Sequence, residues 1–256
     1  MIIDSHVHLY VDDFAADLDE VIARAQAAGV QRFVIPGVDK ASFEPMMNVV
    51  RRYPGICFPC VGLHPTDVRH DWQSEMEFVE NQLKKKEFCA IGETGLDLYH
   101  SKDFVTGQCL AFERQMRLSV QYDLPLIIHI REAFDLLFNV LDNVKGLPLR
   151  GVFHAFSGTV EIFERIRQYG HFKIGVGGVV TFKNAALAQV VKNSDLSDII
   201  LETDAPWLAP VPFRGQRNES SYLSYIVTKT AELKGCTTEE VEDATTRNAM
   251  QLFNIE

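Results

Sequence analysis

Two histidines near the start of the chain, His6 and His8, lie at the end of the apolar run that Ile2 and Ile3 open. Successive side chains of a β-strand alternate between its faces, so residues two apart point the same way. We therefore expect both imidazoles to project from one face of a strand end, where they would supply half of a metal site. Taken alone, the pair is equally consistent with two surface histidines near a flexible terminus.

Four further residues with metal-binding side chains follow downstream, each at the end of an apolar, strand-like segment. They are Glu93, His129, His154 and Asp204. Four imidazoles and two carboxylates exceed the needs of one tetrahedral ion, so the set predicts two divalent ions, with Glu93 bridging them through its two oxygens. Ligands of these types without a thiolate suit Zn, Mn, Fe or Mg. Taken singly, His129 could be a core histidine and Glu93 a turn residue.

A strand followed by a helix recurs eight times along the chain. The predicted strands end at His8 and then span residues 30–37, 56–62, 88–91, 126–130, 151–153, 172–176 and 199–201. The predicted helices span residues 12–28, 42–53, 74–87, 105–122, 133–144, 160–169 and 185–192, with two more at 221–234 and 238–253. Short apolar strands are typical of a parallel sheet covered on both faces.

Eight such repeats favour an α/β fold of the closed (β/α)8 type, a TIM barrel. An open doubly wound sheet would instead gather ligands from two or three strands at one crevice. Here the candidate ligands end the first, fourth, fifth, sixth and eighth strands, and only a closed barrel brings those ends together. We predict a single domain over residues 1–256, with the site at the C-terminal mouth of the barrel.

The composition is that of a soluble globular protein, with 46% hydrophobic and 23% charged residues among 256. No apolar stretch reaches the roughly 18 residues that span a bilayer, and no basic segment opens a signal peptide. Two of the five cysteines, Cys57 and Cys60, lie three apart in a strand-like run, so they face opposite sides. We interpret them as buried thiols and expect a reducing, cytoplasmic location.

The net charge of −10 argues against extended binding to nucleic acid. A protein that grips many phosphates usually carries a basic stripe. An acidic chain can still process nucleic-acid ends if bound metal ions supply the positive charge locally.

Seven motifs in register resemble the TatD family of metal-dependent deoxyribonucleases: DSHVH, GLHP, GETGLD, IIHIR, HAFSG, KIGVGG and LETDAP. The resemblance runs from residue 2 to about residue 253 and implies a TIM barrel with a binuclear metal centre. The implied ligands are His6, His8, Glu93 and Asp204 for one ion, and Glu93, His129 and His154 for the other. The resemblance also brings Glu202, in LETDAP, near the site, where some members engage a further metal.

One segment departs from the family pattern. Members often carry a proline after an Asn-Glu pair that follows the eighth strand, whereas this chain has Arg217-Asn218-Glu219-Ser220. The metal ligands are unaffected by this difference, but the resemblance does not imply the shape of the loop on the substrate side.

The expected reaction is hydrolysis of phosphodiester bonds at DNA ends, or of another small phosphodiester, by two divalent ions (Zn, Mg or Mn) that lower the pKa of a shared water. Asp204 is the candidate general base and Glu93 the bridge, with Glu202 close by. His64 follows the third strand and would contact phosphate, or else pack as a turn histidine. Arg131, two residues after His129, would pair with phosphate, or else form a structural ion pair.

Two other classes of protein stay open. An amidohydrolase acting on an amide, lactone or ester would share the barrel and the His-x-His pair. Many binuclear members of that group bridge their ions with a carboxylated lysine on the fourth strand, and Glu93 at that position favours a phosphodiesterase. A non-catalytic metal-binding module is the second alternative, which the complete ligand set disfavours. Nothing in the sequence implies a membrane or an obligate protein partner.

Overall fold

Eight parallel strands form a barrel in the computed structural model, which describes residues 1–255. The strands are β1 (Ile2–Asp4), β2 (Val30–Ile35), β3 (Cys57–Val61), β4 (Ala90–Asp97), β5 (Leu126–Arg131), β6 (Leu149–Phe153), β7 (Gly170–Val176) and β8 (Ile199–Leu201). Each pairs in parallel with the next along the chain, in the order β1 to β8. The α/β barrel predicted from the repeats is therefore confirmed.

Helices follow the strands and cover the outside of the sheet. Within the described residues they are α1 (Leu18–Ala27), α2 (Lys40–Arg52), α3 (Trp72–Leu83), α4 (Val105–Tyr122), α5 (Phe134–Asn143), α6 (Val160–Ile166), α7 (Ala186–Asn193), α8 (Leu223–Lys234) and α9 (Thr238–Phe253). None of them is long and apolar enough to cross a membrane.

The ends of β1 and β8 close the ring through backbone hydrogen bonds. The Ser5 amide donates to the Leu201 carbonyl at 3.1 Å, and the Asp204 amide donates to the His6 carbonyl at 2.9 Å. This closure places His6 and Asp204 beside each other, although 198 positions separate them in the sequence.

The buried carboxylate of Asp4 reinforces the closure. It accepts hydrogen bonds from the Thr203 amide at 2.9 Å and from the Thr203 and Ser220 hydroxyls, both at 2.6 Å. Asp4 therefore ties β1 both to the segment after β8 and to the segment that leads into α8.

Two apolar layers sit on opposite faces of the strands. The inner layer lines the barrel and is completed by α9; it includes Ile3, Val34, Cys60, Ala90, Ile127, Val152, Ile200, Leu252 and Phe253. The larger outer layer lies between strands and helices. Since side chains alternate along a strand, the residue two positions beyond an inner one faces the barrel axis at the mouth. Ile127, Val152 and Ile200 are followed in this way by His129, His154 and Glu202.

The fourth strand is longer than its sequence pattern predicts. Residues 88–91 are predicted as the strand, whereas β4 runs from Ala90 to Asp97 and includes Glu93. Its pairing with β5 shifts between Ile91 and Thr94, which changes which side chains of β4 face the mouth. Glu93 therefore reaches the barrel axis from within a strand and not from the loop after it.

The helix predicted over residues 12–28 is also interrupted. Asp12–Phe14 form a short 3-10 turn, and α1 begins only at Leu18. Phe14 is fully buried and Asp17 is hydrogen-bonded to Arg217, so tertiary contacts hold this segment away from a continuous helix.

The cysteines are free thiols, as predicted. Cys57 belongs to the outer apolar layer and Cys60 to the inner one, so the two face opposite sides of β3. The Cys60 sulfur lies 3.5 Å from that of Cys89, at the start of the neighbouring strand.

Candidate metal centre

Glu93 lies at the centre of the cluster that the strand ends form, and its two carboxylate oxygens face different groups of side chains. Oε2 lies 3.2 Å from His6 Nε2 and 3.7 Å from His8 Nε2. Asp204 completes this first group, with Oδ1 3.5 Å from each of the same two nitrogens. The two histidine nitrogens are themselves 3.0 Å apart.

The second group surrounds the other oxygen of Glu93. Oε1 lies 2.7 Å from His154 Nε2, 3.0 Å from His129 Nδ1 and 3.2 Å from His64 Nε2. His129 Nδ1 and His154 Nε2 are 3.2 Å apart. The structure thus brings all six predicted ligands together: three of them lie on one side of the Glu93 carboxylate and two on the other, with His64 beside these two.

The hydrogen bonds of two histidines determine which ring nitrogen faces the centre without a proton. The Tyr10 hydroxyl donates to the Pro36 carbonyl at 3.0 Å, so its oxygen accepts from His8 Nδ1 at 2.9 Å. His129 Nε2 donates to Asp97 Oδ2 at 2.9 Å. In their neutral forms, as metal ligands, His8 and His129 would therefore direct the lone pairs of Nε2 and Nδ1 at the two sides of Glu93, in the manner of histidines oriented by a carboxylate or hydroxyl.

His64 has the opposite arrangement. Its Nδ1 accepts a hydrogen bond from the Thr66 amide at 3.2 Å and lies 2.6 Å from the Thr66 hydroxyl. Since Nδ1 is the acceptor, a neutral His64 carries its proton on Nε2 and donates toward Glu93 Oε1. This geometry suits a hydrogen-bond donor at the mouth better than a metal ligand.

Glu202 lies beneath the second group and is fully buried. Its Oε1 accepts a hydrogen bond from the Ala155 amide and lies 3.7 Å from His154 Nδ1. Gly175 leaves room for this side chain, because a Cβ there would come within 2.2 Å of Glu202 Oε2. Glu202, which the resemblance brings near the site, therefore lies deeper in the barrel than Asp204.

The charges of the site are mutually dependent. Burial opposes ionisation of Glu93, but the surrounding imidazoles, His154 foremost, hold its pKa well below the ordinary value. Burial likewise opposes ionisation of Asp204, and its bond to His8 and the nearby imidazoles still lower its pKa. Burial lowers the pKa of His6. Its Nδ1 is buried without a hydrogen-bond partner among the described residues. The carboxylates are therefore ionised and His6 is neutral at neutral pH.

The donor set fits divalent cations. Nitrogen lone pairs and carboxylate oxygens converge from several directions on two small regions, and atoms of this kind repel one another unless a proton or a cation lies between them. His6, His8 and Glu93 bring three candidate ligand atoms within 4.8 Å of one another, as do His6, His154 and Glu202. His64 lies equally close to Glu93 and His129, but as a hydrogen-bond donor it is not counted among the ligands. Imidazole and carboxylate are the ligands that Zn and Mn accept.

Arg131 is exposed at the end of β5, two residues beyond His129. Its guanidinium carbon lies 3.7 Å from the centre of the Tyr99 ring, and no described carboxylate pairs with it. The alternative of a structural ion pair is therefore not what the structure has.

Three residues of the site escaped the sequence analysis in part or altogether. Tyr10 was not singled out, although it orients His8. His100, which the sequence analysis does not single out, bonds through Nδ1 to Asp97 Oδ2 at 2.8 Å. Asp97 accepts hydrogen bonds from the amides of Tyr99 and His100 and also orients His129. The GETGLD motif was the only sequence signal for Asp97.

Fold and site together define a class: a (β/α)8 barrel whose mouth holds a cluster of histidines and carboxylates able to bind metal. The family model described as TatD related DNase matches residues 3–254. The chain belongs to the TatD family and is a metal-dependent hydrolase, as the resemblance implied.

Individual relatives cover the chain end to end. An uncharacterized metal-dependent hydrolase, YabD of Bacillus subtilis, is 36% identical over 256 residues, all of both chains. The 3'-5' ssDNA/RNA exonuclease TatD of Erwinia tasmaniensis is 32% identical, over 98% of this chain and 99% of its own. Among solved structures, the TatD homolog YJJV of Escherichia coli superposes with a TM-score of 0.92 at 29% identity, over 100% of this chain and 98% of that one.

Proposed function

We propose that the protein is a nuclease that hydrolyses phosphodiester bonds at the ends of nucleic acids with the help of two divalent ions. His6, His8, Glu93 and Asp204 would hold one ion, and Glu93, His129 and His154 the other. The observation that carries the proposal is the two-sided position of Glu93, with His8 Nε2 and His129 Nδ1 facing its opposite oxygens. The activity named for the Erwinia relative supports the same substrate class.

Bound divalent ions supply two things to such a reaction: they lower the pKa of a water molecule, and they neutralise charge on the phosphate. The protein contributes a base. Asp204 is the most accessible carboxylate of the cluster, with 14% of its side chain exposed against 4% for Glu93 and none for Glu202. Ionised at neutral pH, it accepts the proton that the attacking water loses.

His64 and Arg131 act on the phosphate in this proposal. The Nε2–H of His64 faces Glu93 Oε1 in the structure, and with substrate bound it would donate to a phosphate oxygen as negative charge grows in the transition state. Arg131, with no carboxylate to neutralise it, pairs with a second phosphate oxygen. A strand end enters such a barrel mouth more easily than the interior of a duplex, so single-stranded or frayed ends are the preferred substrates.

The test combines metal analysis of the purified protein with a cleavage assay on a short 5′-labelled oligonucleotide in Mg²⁺, Mn²⁺ and Zn²⁺. A panel of lactones and N-acyl amides is assayed in parallel. We expect shortening of the oligonucleotide from its end in at least one metal. Turnover of the lactones or amides without oligonucleotide cleavage would reject the nuclease in favour of an amidohydrolase. Inertness toward all substrates, with metals fully loaded, would indicate a binding module.

A further inference from the structure

Two large aromatic side chains are exposed at the mouth on different flanks of the candidate metal centre. Tyr99 is 56% exposed and Trp207 is 50% exposed. Each follows a strand that contributes to the cluster, β4 and β8 respectively. A single exposed aromatic side chain is ordinary on a protein surface, so it is the contacts of these two rings with the residues of the cluster that matter.

Trp207 lies beside the first group of ligands. Its ring meets the ring of His8 edge-on, with centroids 5.0 Å apart and an interplanar angle of 69°. The Trp207 amide donates to the Asp204 carbonyl at 2.9 Å, and the Trp207 carbonyl accepts a hydrogen bond from Asn218 Nδ2 at 2.7 Å. The backbone is therefore fixed next to Asp204 while half of the side chain remains open to solvent.

Tyr99 belongs to the second group. Its amide donates to Asp97 Oδ1 at 2.9 Å, and the other oxygen of Asp97 accepts from His129. The Arg131 guanidinium covers one part of the ring at 3.7 Å, and the remainder of the ring is exposed. The Tyr99 hydroxyl has no hydrogen-bond partner among the described residues, so no protein contact holds the far end of the side chain.

Five cations lie in the loops and strand end at the mouth and pair with no carboxylate of residues 1–255: Arg69, Lys102, Arg131, Lys183 and Arg214. Unpaired cations also occur away from the mouth, for example Arg165 on α6 and Arg247 on α9. In a chain of net charge −10, the five at the mouth are available to the phosphates of a polyanion that enters there.

We propose that Tyr99 with Arg131, and Trp207, form two nucleotide-binding subsites that flank the metal centre and stack on unpaired bases of a single strand. The proposal rests on the proposed function and deepens it, because it assigns the selection of single-stranded nucleic acid to named side chains. Every base has a π-face, so aromatic stacking tolerates any sequence. Bases within a duplex have both faces covered by their neighbours and cannot stack in this way.

The experiment measures binding and cleavage separately. The holoenzyme is titrated with a short fluorescent oligothymidylate whose phosphorothioate linkages resist hydrolysis, and cleavage is followed on the ordinary phosphodiester. We expect Tyr99→Ala and Trp207→Ala each to weaken binding roughly 5- to 100-fold, the range of one lost base stack. Tyr99→Phe and Trp207→Phe retain a ring and should bind nearly as the unaltered protein does, with unchanged metal content in all four.

Two matched controls separate stacking from general effects. Leu110→Ala removes an exposed apolar side chain of similar exposure from α4, 51% against 56% for Tyr99. Arg165→Ala removes a guanidinium that covers the ring of Phe138 at 3.6 Å, away from the mouth. Neither should change binding.

An abasic residue placed in turn at each position of the oligonucleotide identifies the stacked base. At one position the abasic sugar should weaken binding to the unaltered protein but not weaken it further in Tyr99→Ala, and at another position the same should hold for Trp207→Ala. If, at every position, the loss of binding caused by the abasic sugar added fully to the loss caused by each alanine substitution, the two subsites would be rejected.

The outcomes also separate this inference from the proposed function. An oligonucleotide that is cleaved equally well by the alanine variants would reject the subsites and keep the nuclease. An oligonucleotide bound through both rings but never cleaved would reject the nuclease and keep the subsites. Absence of any binding would reject both.

Discussion

Glu93 carries more of the proposed site than any other single residue, because its two carboxylate oxygens face the two groups of imidazoles, 3.2 Å from His6 on one side and 2.7 Å from His154 on the other. A carboxylate in this position presents an acceptor to each side, whereas an amide of the same size presents an acceptor to one side and two N–H donors to the other. Replacing Glu93 by Gln therefore tests the effect of the negative charge while the size of the side chain stays the same.

We expect Glu93→Gln to lose at least one metal ion and nearly all activity while remaining folded. The N–H group of the amide would face nitrogen lone pairs that otherwise converge on a cation. Metal per chain, measured by plasma mass spectrometry after gel filtration, checks the first point, and thermal unfolding checks the second. Glu87→Gln, at an exposed position, is the matched control. Two retained metals and full turnover in Glu93→Gln would show that residue 93 is not the bridge.

Asp204 and Glu202 lie two residues apart but at different depths, which predicts different consequences of removing their charges. Asp204→Asn should abolish turnover and weaken one metal, since the proposed base is lost, yet leave the fold intact as expected for a residue at the barrel mouth. Glu202→Gln should lower turnover by roughly 10- to 100-fold, as for a group that acts on a ligand from behind it. Steady-state rates and the metal content of the two variants test this order. A larger loss of turnover in Glu202→Gln than in Asp204→Asn would exchange the two roles.

The residue types of the site were predictable from sequence, but the hydrogen bonds that orient them were not. A histidine two positions past an inner apolar residue must face the mouth, and this rule finds His129 and His154 from the strands alone. Which nitrogen of His129 faces Glu93 depends on Asp97, and that of His8 depends on Tyr10. Such pairings arise from backbone turns after the strands, which have no periodic signal in sequence.

At the scale of elements, the strands predict the site because barrel closure aligns their ends, and the errors fall where tertiary contacts override local pattern. The glycines of GETGLD indicate a loop in sequence, yet β4 continues to Asp97 because β5 pairs with it again from Thr94 to Asp97, beyond the shift in register. The segment Arg217–Ser220, whose path the missing proline left open, is held by side chains instead: Arg217 pairs with Asp17, and Glu219 with Arg24.

This loop anchor predicts an acid-sensitive contribution to stability. Hydrogen bonds from Arg217 lower the pKa of Asp17 from an ordinary value of 3.8 to about 2. A depressed folded-state pKa means that the contribution is full above about pH 4 and is lost as the pH falls toward 2. Since 31% of the Asp17 side chain is exposed, solvent screening limits it to about 1 kcal/mol.

Asp17→Asn should therefore melt roughly 2–4 °C below the unaltered protein at neutral pH. The gap should stay constant down to about pH 5 and narrow only below about pH 4, as the unaltered carboxylate becomes protonated. Asp13→Asn changes an exposed carboxylate of the preceding turn and should have no such effect. A gap that closes already between pH 7 and pH 5 would assign the contribution to a histidine instead of Asp17.

At the scale of the whole molecule, the chain is acidic, with a net charge of −10, and the five unpaired cations at the mouth lie closest to the metal centre's substrate side. An acidic exterior repels a long polyanion, so productive contact is confined to the few phosphates nearest the centre. Affinity should then depend only weakly on salt concentration, because few phosphates are contacted and each contacted phosphate of a single strand releases about 0.7 of a counterion.

The salt dependence of oligonucleotide binding measures the number of those contacts. For roughly two to four phosphates on a single strand, the logarithm of the binding constant should fall with the logarithm of salt concentration with a slope of about −1.4 to −2.8. Arg131→Ala should make the slope shallower by about 0.7, the share of one contact, without changing metal content. Arg247→Ala, which removes an exposed cation from α9 away from the mouth, should leave the slope unchanged. A slope steeper than about −3.5, the limit for five contacts, would mean that nucleic acid engages a surface beyond the mouth.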